Sequence, residues 1–435
     1  MATKKDSAKR RAVIVGGVRT PFIRAFGALT KMDTIALGTA AVKGLLSRFP
    51  IDPERIGGMV WGGTILPGGV AVNAGREIVF DAGLPDTIEA YTVTRACTSS
   101  ILSVTLAVAA IERGEADVLI AGGSDSTSNV EVRMPPTLVH KAAPVVMSAK
   151  STPVDYLKLL GKLNPGKDLK PSRPSIRERT TGELMGESAE KMAGRNGITR
   201  EAQDEFALQS HQRAAKAVAD GRFAPEIIPV TTPDGETVFA DNIIRGDTTL
   251  EKLGKLKPAF AKDGTLTAGN SSSLTDGGAA VLLMTEEKAA ELGFTPLAAF
   301  RSWSYDAVDP KDQLLIGPAI SMPRAVEKAG LKASDIDLID IHEAFAAQVL
   351  SVVKMLGSKG FGKERLGLPG AFREIDPKEI NVHGGSIALG HPFAATGARL
   401  ITTMANEIAQ AGKKNALIGV CAGGALSAAV LLEKA

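Results

Sequence analysis

The chain has 435 residues, of which 44% are hydrophobic, 23% charged and 4% aromatic, enough for about two or three domains with sizeable cores. Its 51 Lys and Arg residues against 48 Asp and Glu residues give a net charge of +3, and no nucleic-acid-binding motif is present, so no nucleic acid is expected as a partner. The two cysteines, Cys97 and Cys421, argue against a disulfide-built secreted domain and for a reducing compartment.

Neither end-of-chain nor internal apolar segments predict a membrane span. The longest apolar run, residues 101–111, is shorter than the ~20 residues that cross a bilayer and predicts a buried helix instead. Residues 1–11 carry basic side chains and no apolar stretch, so we expect a solvated tail rather than a secretory signal. A short organelle-targeting remnant is the alternative interpretation.

Strands and helices alternate along both ends of the chain. In the first half of the chain the pattern predicts strands over 11–18, 56–61, 91–94 and 117–122. It predicts helices over 32–49 and 98–113. The second half predicts a helix over 322–329, strands over 336–341 and 380–382, a helix over 397–411 and a strand over 415–420.

The two halves look like one repeated unit. Residues 44–62 and 325–343 both read as a helix, a turn with Pro or Ser-Asp, and a buried strand. Alternating β and α elements predict an α/β fold with two mostly parallel sheets packed on a shared helix layer. In such folds ligands bind at the carboxyl ends of the strands.

Between the halves, roughly over residues 126–270, the periodicity weakens, which predicts an inserted loop domain. Residues 141–179 contain nine Lys or Arg and three acidic residues, a local charge of +6. Within that segment Val154, Leu157, Leu160 and Leu163 recur every three residues, as on a short amphipathic helix. This basic segment is either a solvated face or a contact for a polyanionic ligand or for anionic lipid.

Four groups that carry chemistry follow predicted strands. Cys97 precedes a helix, whose dipole favours a thiolate, and His391 stands on a tight strand-to-helix bend between Gly390 and Pro392, where it could act as a base. Cys421 and His342 each end a strand. A lone cysteine or histidine in such a position is more often a structural residue, but the four together predict a nucleophilic site.

With these residues the sequence resembles the thiolase family. The motifs are CTSS at Cys97, HEAF at His342, GHPFAATGAR at His391 and Cys-x-Gly-Gly at Cys421, in the family's order. Within the family the chain is most similar to the β-subunit of the trifunctional fatty-acid oxidation complex and to its bacterial counterparts. The resemblance implies a thiolase-like α/β fold of two repeated βαβ-type halves with mixed sheets on a shared helix layer, plus an inserted loop domain.

The resemblance implies the cleavage of a 3-ketoacyl-CoA with CoA in fatty-acid β-oxidation. Cys97 would form an acyl thioester, His391 would be the base, and Cys421 would supply the proton. His391 and a water held by His342 would stabilise the enolate oxygen, while the backbone N–H groups of Cys97 and Gly423 would stabilise the tetrahedral oxyanion.

The resemblance also implies binding residues. Ser272 would contact the pantetheine of CoA, and Met185 would line the acyl pocket, where the preceding Leu184 implies medium or long chains. Phe345 and Phe393 line either the acyl site or the core. CoA is then a co-substrate, no cofactor is permanently bound, and the spacing of the histidines and cysteines predicts no metal site.

Residues 1–126 and 275–295 are expected to form the N-terminal half, residues 127–274 the inserted loop domain covering the active site, and residues 296–435 the C-terminal half. We expect a cytoplasmic enzyme, or a mitochondrial-matrix one if eukaryotic, that forms a homodimer or homotetramer. A hydratase/dehydrogenase subunit or a membrane surface are further candidate partners of the basic insert.

Three rival functions stay open. They are a biosynthetic acetoacetyl-CoA thiolase, a condensing enzyme of the same fold such as a ketoacyl synthase, and a non-catalytic acyl-CoA or lipid carrier. A ketoacyl synthase typically pairs one cysteine with two histidines, so Cys421 favours a thiolase.

Overall fold

A computed structural model describes residues 10–67, 72–171 and 177–435. The predicted solvated tail lies largely outside these residues. Its last two residues, Arg10 and Arg11, contact the rest of the protein. Arg10 donates to the carbonyl oxygen of Ile111 and pairs with Asp117. Arg11 pairs with Glu433.

The strands of the described residues are β1 (Ala12–Arg19), β2 (Ile23–Arg24), β3 (Met59–Gly62), β4 (Ala90–Val93), β5 (Val118–Ser126), β6 (Val230–Thr231), β7 (Thr237–Val238), β8 (Thr275–Thr285), β9 (Ala298–Ala307), β10 (Leu338–Ile341), β11 (Asn415–Ala422) and β12 (Leu426–Glu433).

The helices of the described residues are α1 (Thr34–Arg48), α2 (Ala74–Asp81), α3 (Ser99–Arg113), α4 (Pro136–Val146), α5 (Pro153–Lys162), α6 (Pro165–Asp168), α7 (Met185–Asn196), α8 (Arg200–Ala219), α9 (Leu250–Gly254), α10 (Glu286–Glu291), α11 (Pro310–Gln313), α12 (Pro318–Lys328), α13 (Ala346–Leu356), α14 (Lys359–Leu366), α15 (Ser386–Leu389) and α16 (Thr396–Ala411).

One mixed sheet runs through the fold in the order β10-β11-β12-β9-β1-β8-β5-β3-β4, with β2 beside β8. The prediction of mostly parallel sheets is wrong, because only the pairs β3–β4, β3–β5 and β10–β11 are parallel among the described residues. The physical reason is visible between β11 and β12, which a three-residue turn joins. Such a turn is too short for the crossover that parallel strands require.

The repeat seen in the sequence is present in the structure. Helix α1, a short 3₁₀ turn at Pro53–Arg55 and β3 correspond to α12, a 3₁₀ turn at Ala333–Asp335 and β10. The strands of the two halves meet where β1 pairs with β9, at Val13–Ala299 and Ile14–Ala298.

A shared helix layer lies against both halves, as predicted. Ile101 and Val104 of α3 and Leu400 and Met404 of α16 belong to one buried cluster with strand residues such as Val430. The apolar run at 101–111 is therefore a core helix. The window Ala96–Arg113 is long and apolar enough to cross a membrane, but 56% of it is buried inside the protein, as in core helices of globular proteins.

Two predictions of local structure are wrong. Residues 380–382 form a turn instead of a strand, because Asn381 has a φ of 52°, a conformation that ends extended pairing. The middle of the chain is also less loop-like than expected, since α7 and the 20-residue α8 both lie within it.

The described chain divides into two compact units, one of them Val130–Ile176 and the other the remainder. The smaller unit holds α4, α5 and α6, and Lys141 pairs there with the buried Asp168. The division into two halves and an insert over 127–274 stays a prediction.

Candidate active site

Cys97 lies in a tight turn between β4 and α3. Ala96 has a φ of 47°, and Ser99 fixes the turn because its Oγ accepts from the Arg95 N–H at 2.8 Å and donates to the Ala96 carbonyl at 2.7 Å. Non-glycine residues avoid this backbone region unless their surroundings hold them there. The turn therefore presents a half-buried thiol at the start of the helix.

The helix position does not make Cys97 a thiolate. Burial raises the pKa of the Cys97 thiol to about 11, while the backbone N–H groups of Gly423 and of Cys97 itself lower that pKa by less. The expected activation by the helix dipole is thus outweighed by desolvation. Cys97 is a protonated thiol at neutral pH, and it needs a base to become a nucleophile.

Hydrogen bonds hold both the backbone and the ring of His391. The main-chain N–H of His391 donates to Thr275 Oγ1 at 3.0 Å, and its Nδ1 lies 2.7 Å from Thr396 Oγ1. The residue follows α15 and Gly390, whose φ is 96°, so the predicted strand-to-helix bend is in fact a helix-to-helix bend. Burial lowers the pKa of His391 to about 3, which keeps the imidazole neutral.

His342 follows β10 directly and faces His391. The ring centroids are 4.2 Å apart, and His342 Nδ1 lies 3.1 Å from Ser386 Oγ. Burial and the charge of Arg399 hold the pKa of His342 well below its ordinary value. The Nε2 atoms of both histidines are buried and have no hydrogen-bond partner among the described residues, so each is available to a ligand.

Cys421 lies near the end of β11 and is 1% exposed. Burial, followed by the electrostatic interaction with Cys97, raises the pKa of its thiol well above the ordinary value, so the two thiols are near enough to interact. Gly423 stands two residues further on, and a Cβ added there would lie 3.8 Å from Met185 Sδ and 3.9 Å from Ala96 Cβ. The structure thus brings Cys97, Cys421, Gly423 and Met185 to one place.

The remaining predicted residues surround this group. Phe393 packs edge-on against His391 with a centroid distance of 5.1 Å. Phe345 packs on Phe260 at 5.6 Å and pairs with Ser271, next to Ser272, whose N–H donates to the Ala344 carbonyl.

A basic cleft of about 330 Å³ lies beside Ser272. It is lined by Arg24, Arg245, Lys252 and Ser273, among others. These cationic residues come from outside the segment 141–179, where the sequence had led us to expect part of the anion-binding surface. Positive side chains at a cleft suit phosphate groups.

Several residues that support the site carry no motif of their own. Asp125 accepts hydrogen bonds from the N–H groups of Thr64, Ile65 and Ala394, although burial raises its pKa to about 6. Asn381 donates to Glu343 and binds both backbone groups of Ile341. Periodicity gives no signal for such residues because their function depends on contacts between distant segments.

The described residues contain no group of three or more His, Cys, Asp or Glu side chains placed to hold a metal ion. The chemistry of the site is assembled from thiols, imidazoles and backbone N–H groups. Such a set suits acyl transfer through a cysteine thioester.

Comparison with known proteins agrees with this geometry. Residues 12–287 match the family model described as thiolase, N-terminal domain, and residues 294–434 match thiolase, C-terminal domain. The 3-ketoacyl-CoA thiolases of Photobacterium profundum and Escherichia coli O157:H7 are each 44% identical over 426 residues, or 97% of either chain.

Solved structures give the same result. Human mitochondrial 3-ketoacyl-CoA thiolase in complex with CoA has a TM-score of 0.82 at 30% identity and covers 98% of both chains. The acetyl-CoA acetyltransferase of Bacillus anthracis has a TM-score of 0.81 at 32% identity, covering 98% of this chain and 100% of its own. The chain belongs to the thiolase family.

Proposed function

We propose that this protein is an acyltransferase that cleaves 3-ketoacyl-CoA with CoA, giving acetyl-CoA and a shortened acyl-CoA in fatty-acid β-oxidation. The observation that carries the proposal is the pair of buried, neutral imidazoles, whose ring centroids are 4.2 Å apart and whose Nε2 atoms are unpartnered among the described residues, together with two protonated thiols that interact with each other. The 3-ketoacyl-CoA thiolases with 44% identity over nearly the whole chain support the same activity.

In the first half-reaction His391 Nε2 takes the proton of Cys97, and the sulfur attacks the keto carbon. The tetrahedral oxyanion accepts from the N–H groups of Cys97 and Gly423, both of which already act on the thiol. The carbon–carbon bond then breaks, and the electron pair leaves as the enolate of acetyl-CoA. That enolate oxygen is stabilised by protonated His391 and by His342 through a water.

Cys421 completes both half-reactions as the proton carrier. Its thiol protonates the enolate carbon to give acetyl-CoA, and the resulting thiolate takes the proton of the incoming CoA thiol. The CoA sulfur then attacks the acyl-Cys97 thioester and releases the shortened acyl-CoA, while Cys97 leaves as a thiolate and takes back the proton that His391 held. A thiol with a strongly raised pKa suits this role because it holds its proton until a strong base such as an enolate needs it.

CoA is the co-substrate, and the chain suggests where it binds. Arg24, Arg245 and Lys252 in the basic cleft suit the CoA phosphates, while Ser272, which precedes the cleft-lining Ser273 and donates through its N–H to the Ala344 carbonyl, suits pantetheine. A solved thiolase of the same fold is in complex with CoA.

For the acyl group we propose an apolar pocket that favours medium or long chains. Met185, with Leu184 before it, lies by Gly423, and Phe345 and Phe260 pack next to the same core cluster. This pocket distinguishes the proposal from a biosynthetic acetoacetyl-CoA thiolase, which would prefer four-carbon substrates.

The test is intact-protein mass after mixing with 3-ketoacyl-CoAs of four to sixteen carbons, with peptide mapping and a parallel acetyl-CoA assay. An acyl mass on Cys97 that free CoA removes is the expected result. The absence of an adduct at every length, with CoA still bound, would instead support a carrier.

We also propose a cytoplasmic homodimer or homotetramer. The bacterial sources of the sequence relatives favour the location. Among the described residues strand β4 is at the end of the sheet and pairs with β3 alone, and Tyr91 on it is 38% exposed, so this edge suits pairing with a second copy. Light scattering after gel filtration measures the assembly.

A second property is suggested by the smaller unit. Val154, Leu157 and Leu160 on α5 are 55%, 67% and 65% exposed, and Lys158 and Lys162 lie among them. This combination favours contact with an anionic lipid surface. We expect co-sedimentation with vesicles containing phosphatidylglycerol, lost in Leu157→Ser/Leu160→Ser.

The control for that experiment is Val218→Ser, which removes an apolar side chain that is 50% exposed on α8. Equal binding by the α5 variant and the control would overturn the membrane contact. Binding of a hydratase/dehydrogenase subunit that depends on the same two leucines, with no vesicle binding, would assign the face to that partner.

A further inference from the structure

A buried arginine stands behind the histidine pair. Arg399 on α16 is 1% exposed, and its Nη2 lies 3.0 Å from Ser386 Oγ, the same atom that lies 3.1 Å from His342 Nδ1. Two hydrogen bonds therefore link the charged Arg399, through Ser386, to the His342 imidazole. The Nε2 atom of that imidazole has no partner among the described residues. The thiol and imidazole chemistry described above does not use Arg399 or Ser386.

The donors of these two hydrogen bonds follow from the chemistry of the three side chains. A guanidinium can only donate, so Ser386 Oγ accepts from Arg399. The Ser386 hydroxyl proton is then free to point at His342 Nδ1, and Arg399 Nη2 and His342 Nδ1 are the partners of that oxygen among the described residues. A nitrogen that accepts a hydrogen bond carries no proton in neutral imidazole, so the ring proton is on Nε2.

We propose that Arg399 and Ser386 are positioning residues that hold His342 in its Nε2–H form, so that this ring donates a hydrogen bond to the water that stabilises the enolate oxygen. The consequence for the reaction rests on the proposed function. The consequence for the tautomer does not.

Arg399 also acts on the charge of both rings. Its positive charge lowers the pKa of His342 and of His391 in addition to the effect of burial. Asp340 and Glu343 lie near enough to Arg399 to favour its charged form. Burial keeps both imidazoles neutral and the charge of Arg399 adds to that effect, while through Ser386 the same arginine sets the proton of one ring.

The neighbouring ring, His391, has different hydrogen-bond partners. His391 Nδ1 contacts Thr396 Oγ1, and that hydroxyl donates to the Pro392 carbonyl at 3.5 Å. Thr396 then accepts from Nδ1–H, which leaves the lone pair of His391 Nε2 for the proton of Cys97. Two rings 4.2 Å apart are in this way prepared for opposite tasks, one to donate and one to accept.

The test is Ser386→Ala, which removes only the hydroxyl between Arg399 and His342. In protein labelled with ¹⁵N-histidine, the five histidines give a countable set of ring signals whose shifts separate the two tautomers. We expect His342 to be Nε2–H in the wild type and a mixture in Ser386→Ala. We expect kcat for thiolytic cleavage to fall by about tenfold, with KM for CoA unchanged, because one buried hydrogen bond is lost.

Two comparison variants make the result specific. Ser351→Ala removes a buried hydroxyl that has no partner among the described residues, so it should change neither the tautomer nor kcat. In a His342→Asn background the same Ser386→Ala change should cost less than twofold, because an amide carries a fixed donor and does not tautomerise.

An unchanged His342 tautomer in folded Ser386→Ala would overturn the proposal, and so would an equal loss of kcat in the His342→Asn background. If the tautomer shifts as expected but the wild type cleaves no 3-ketoacyl-CoA, the positioning role stands and the proposed function fails.

Discussion

The protonation of Cys97 predicts an unusual pH dependence for its reaction with an alkylating agent. Burial raises the pKa of this thiol to about 11 and lowers that of His391 to about 3. The resting pair is therefore a thiol and a neutral imidazole, and not a thiolate and an imidazolium. Because the thiolate is the reactive form, the rate of alkylation by iodoacetamide should follow the thiolate fraction.

The magnitude follows from the pKa. With a pKa of about 11, the thiolate fraction of Cys97 is about 10⁻⁴ at pH 7 and about 10⁻² at pH 9. We expect the alkylation rate to rise about tenfold per pH unit from pH 6 to 9, about 100-fold between pH 7 and 9, without a plateau.

Mass spectrometry of the Cys97 peptide measures this rate separately from that of Cys421. The urea-unfolded chain is the matched control when the series is extended to pH 10, since its Cys97 should level off above the ordinary thiol pKa of 9.0 while the folded Cys97 should still rise about tenfold between pH 9 and 10. A rate in the folded enzyme that is constant between pH 6 and 8 would refute the reasoning, because it would mean that His391 already holds the proton in the free enzyme.

Three further changes test the site. Cys97→Ser should abolish the acyl-enzyme seen by intact mass, whereas Cys421→Ser should keep some acylation and lose turnover in both cleavage and condensation; normal turnover in either variant would remove the assigned role. Gly390→Ala should fold but lose about 100-fold in kcat/KM. The φ of residue 390 is 96°, and the new Cβ would lie 2.6 Å from the Thr275 Oγ1 that holds His391. Wild-type kinetics in this variant would contradict the prediction. Asn381→Leu should lower the free energy of unfolding in urea by about 3 kcal/mol, since buried polar partners are left unpaired; an unchanged midpoint would show that these bonds contribute nothing.

Much of the fold could be predicted because its signals are local. The helix at α3 follows from an apolar run between a turn and charged residues, and the repeat of α1–β3 in α12–β10 follows from similar spacing. Strand direction could not be predicted in this way. The antiparallel pairing of β11 with β12 depends on a turn in which Gly424 has a φ of 78° and Ala425 of 55°, and spacing alone does not distinguish that turn from a crossover.

In the candidate site, too, features that depend on local sequence could be predicted and features that depend on packing could not. Cys97, His342, His391 and Cys421 lie in recognisable motifs, and in the structure the two histidine rings are 4.2 Å apart and the two thiols are near enough to interact. Their protonation could not be predicted, because the helix dipole at Cys97 is a local effect while desolvation depends on everything packed around the thiol. Arg399 ends a recognisable motif, but its hydrogen bond to Ser386 is known only once α15 and α16 are packed.

The junction of the two halves at β1 and β9 has a consequence for how the protein can be divided. Cys97 belongs to the first half, while the histidine pair and Cys421 belong to the second, and Asp125 on β5 ties the two by accepting from the Ala394 N–H at 2.7 Å. Neither half alone therefore owns a complete set of reacting groups. If the chain were cut between β8 and β9 and expressed as two polypeptides, activity would appear only on reassembly, and its recovery would report how faithfully the sheet rejoins.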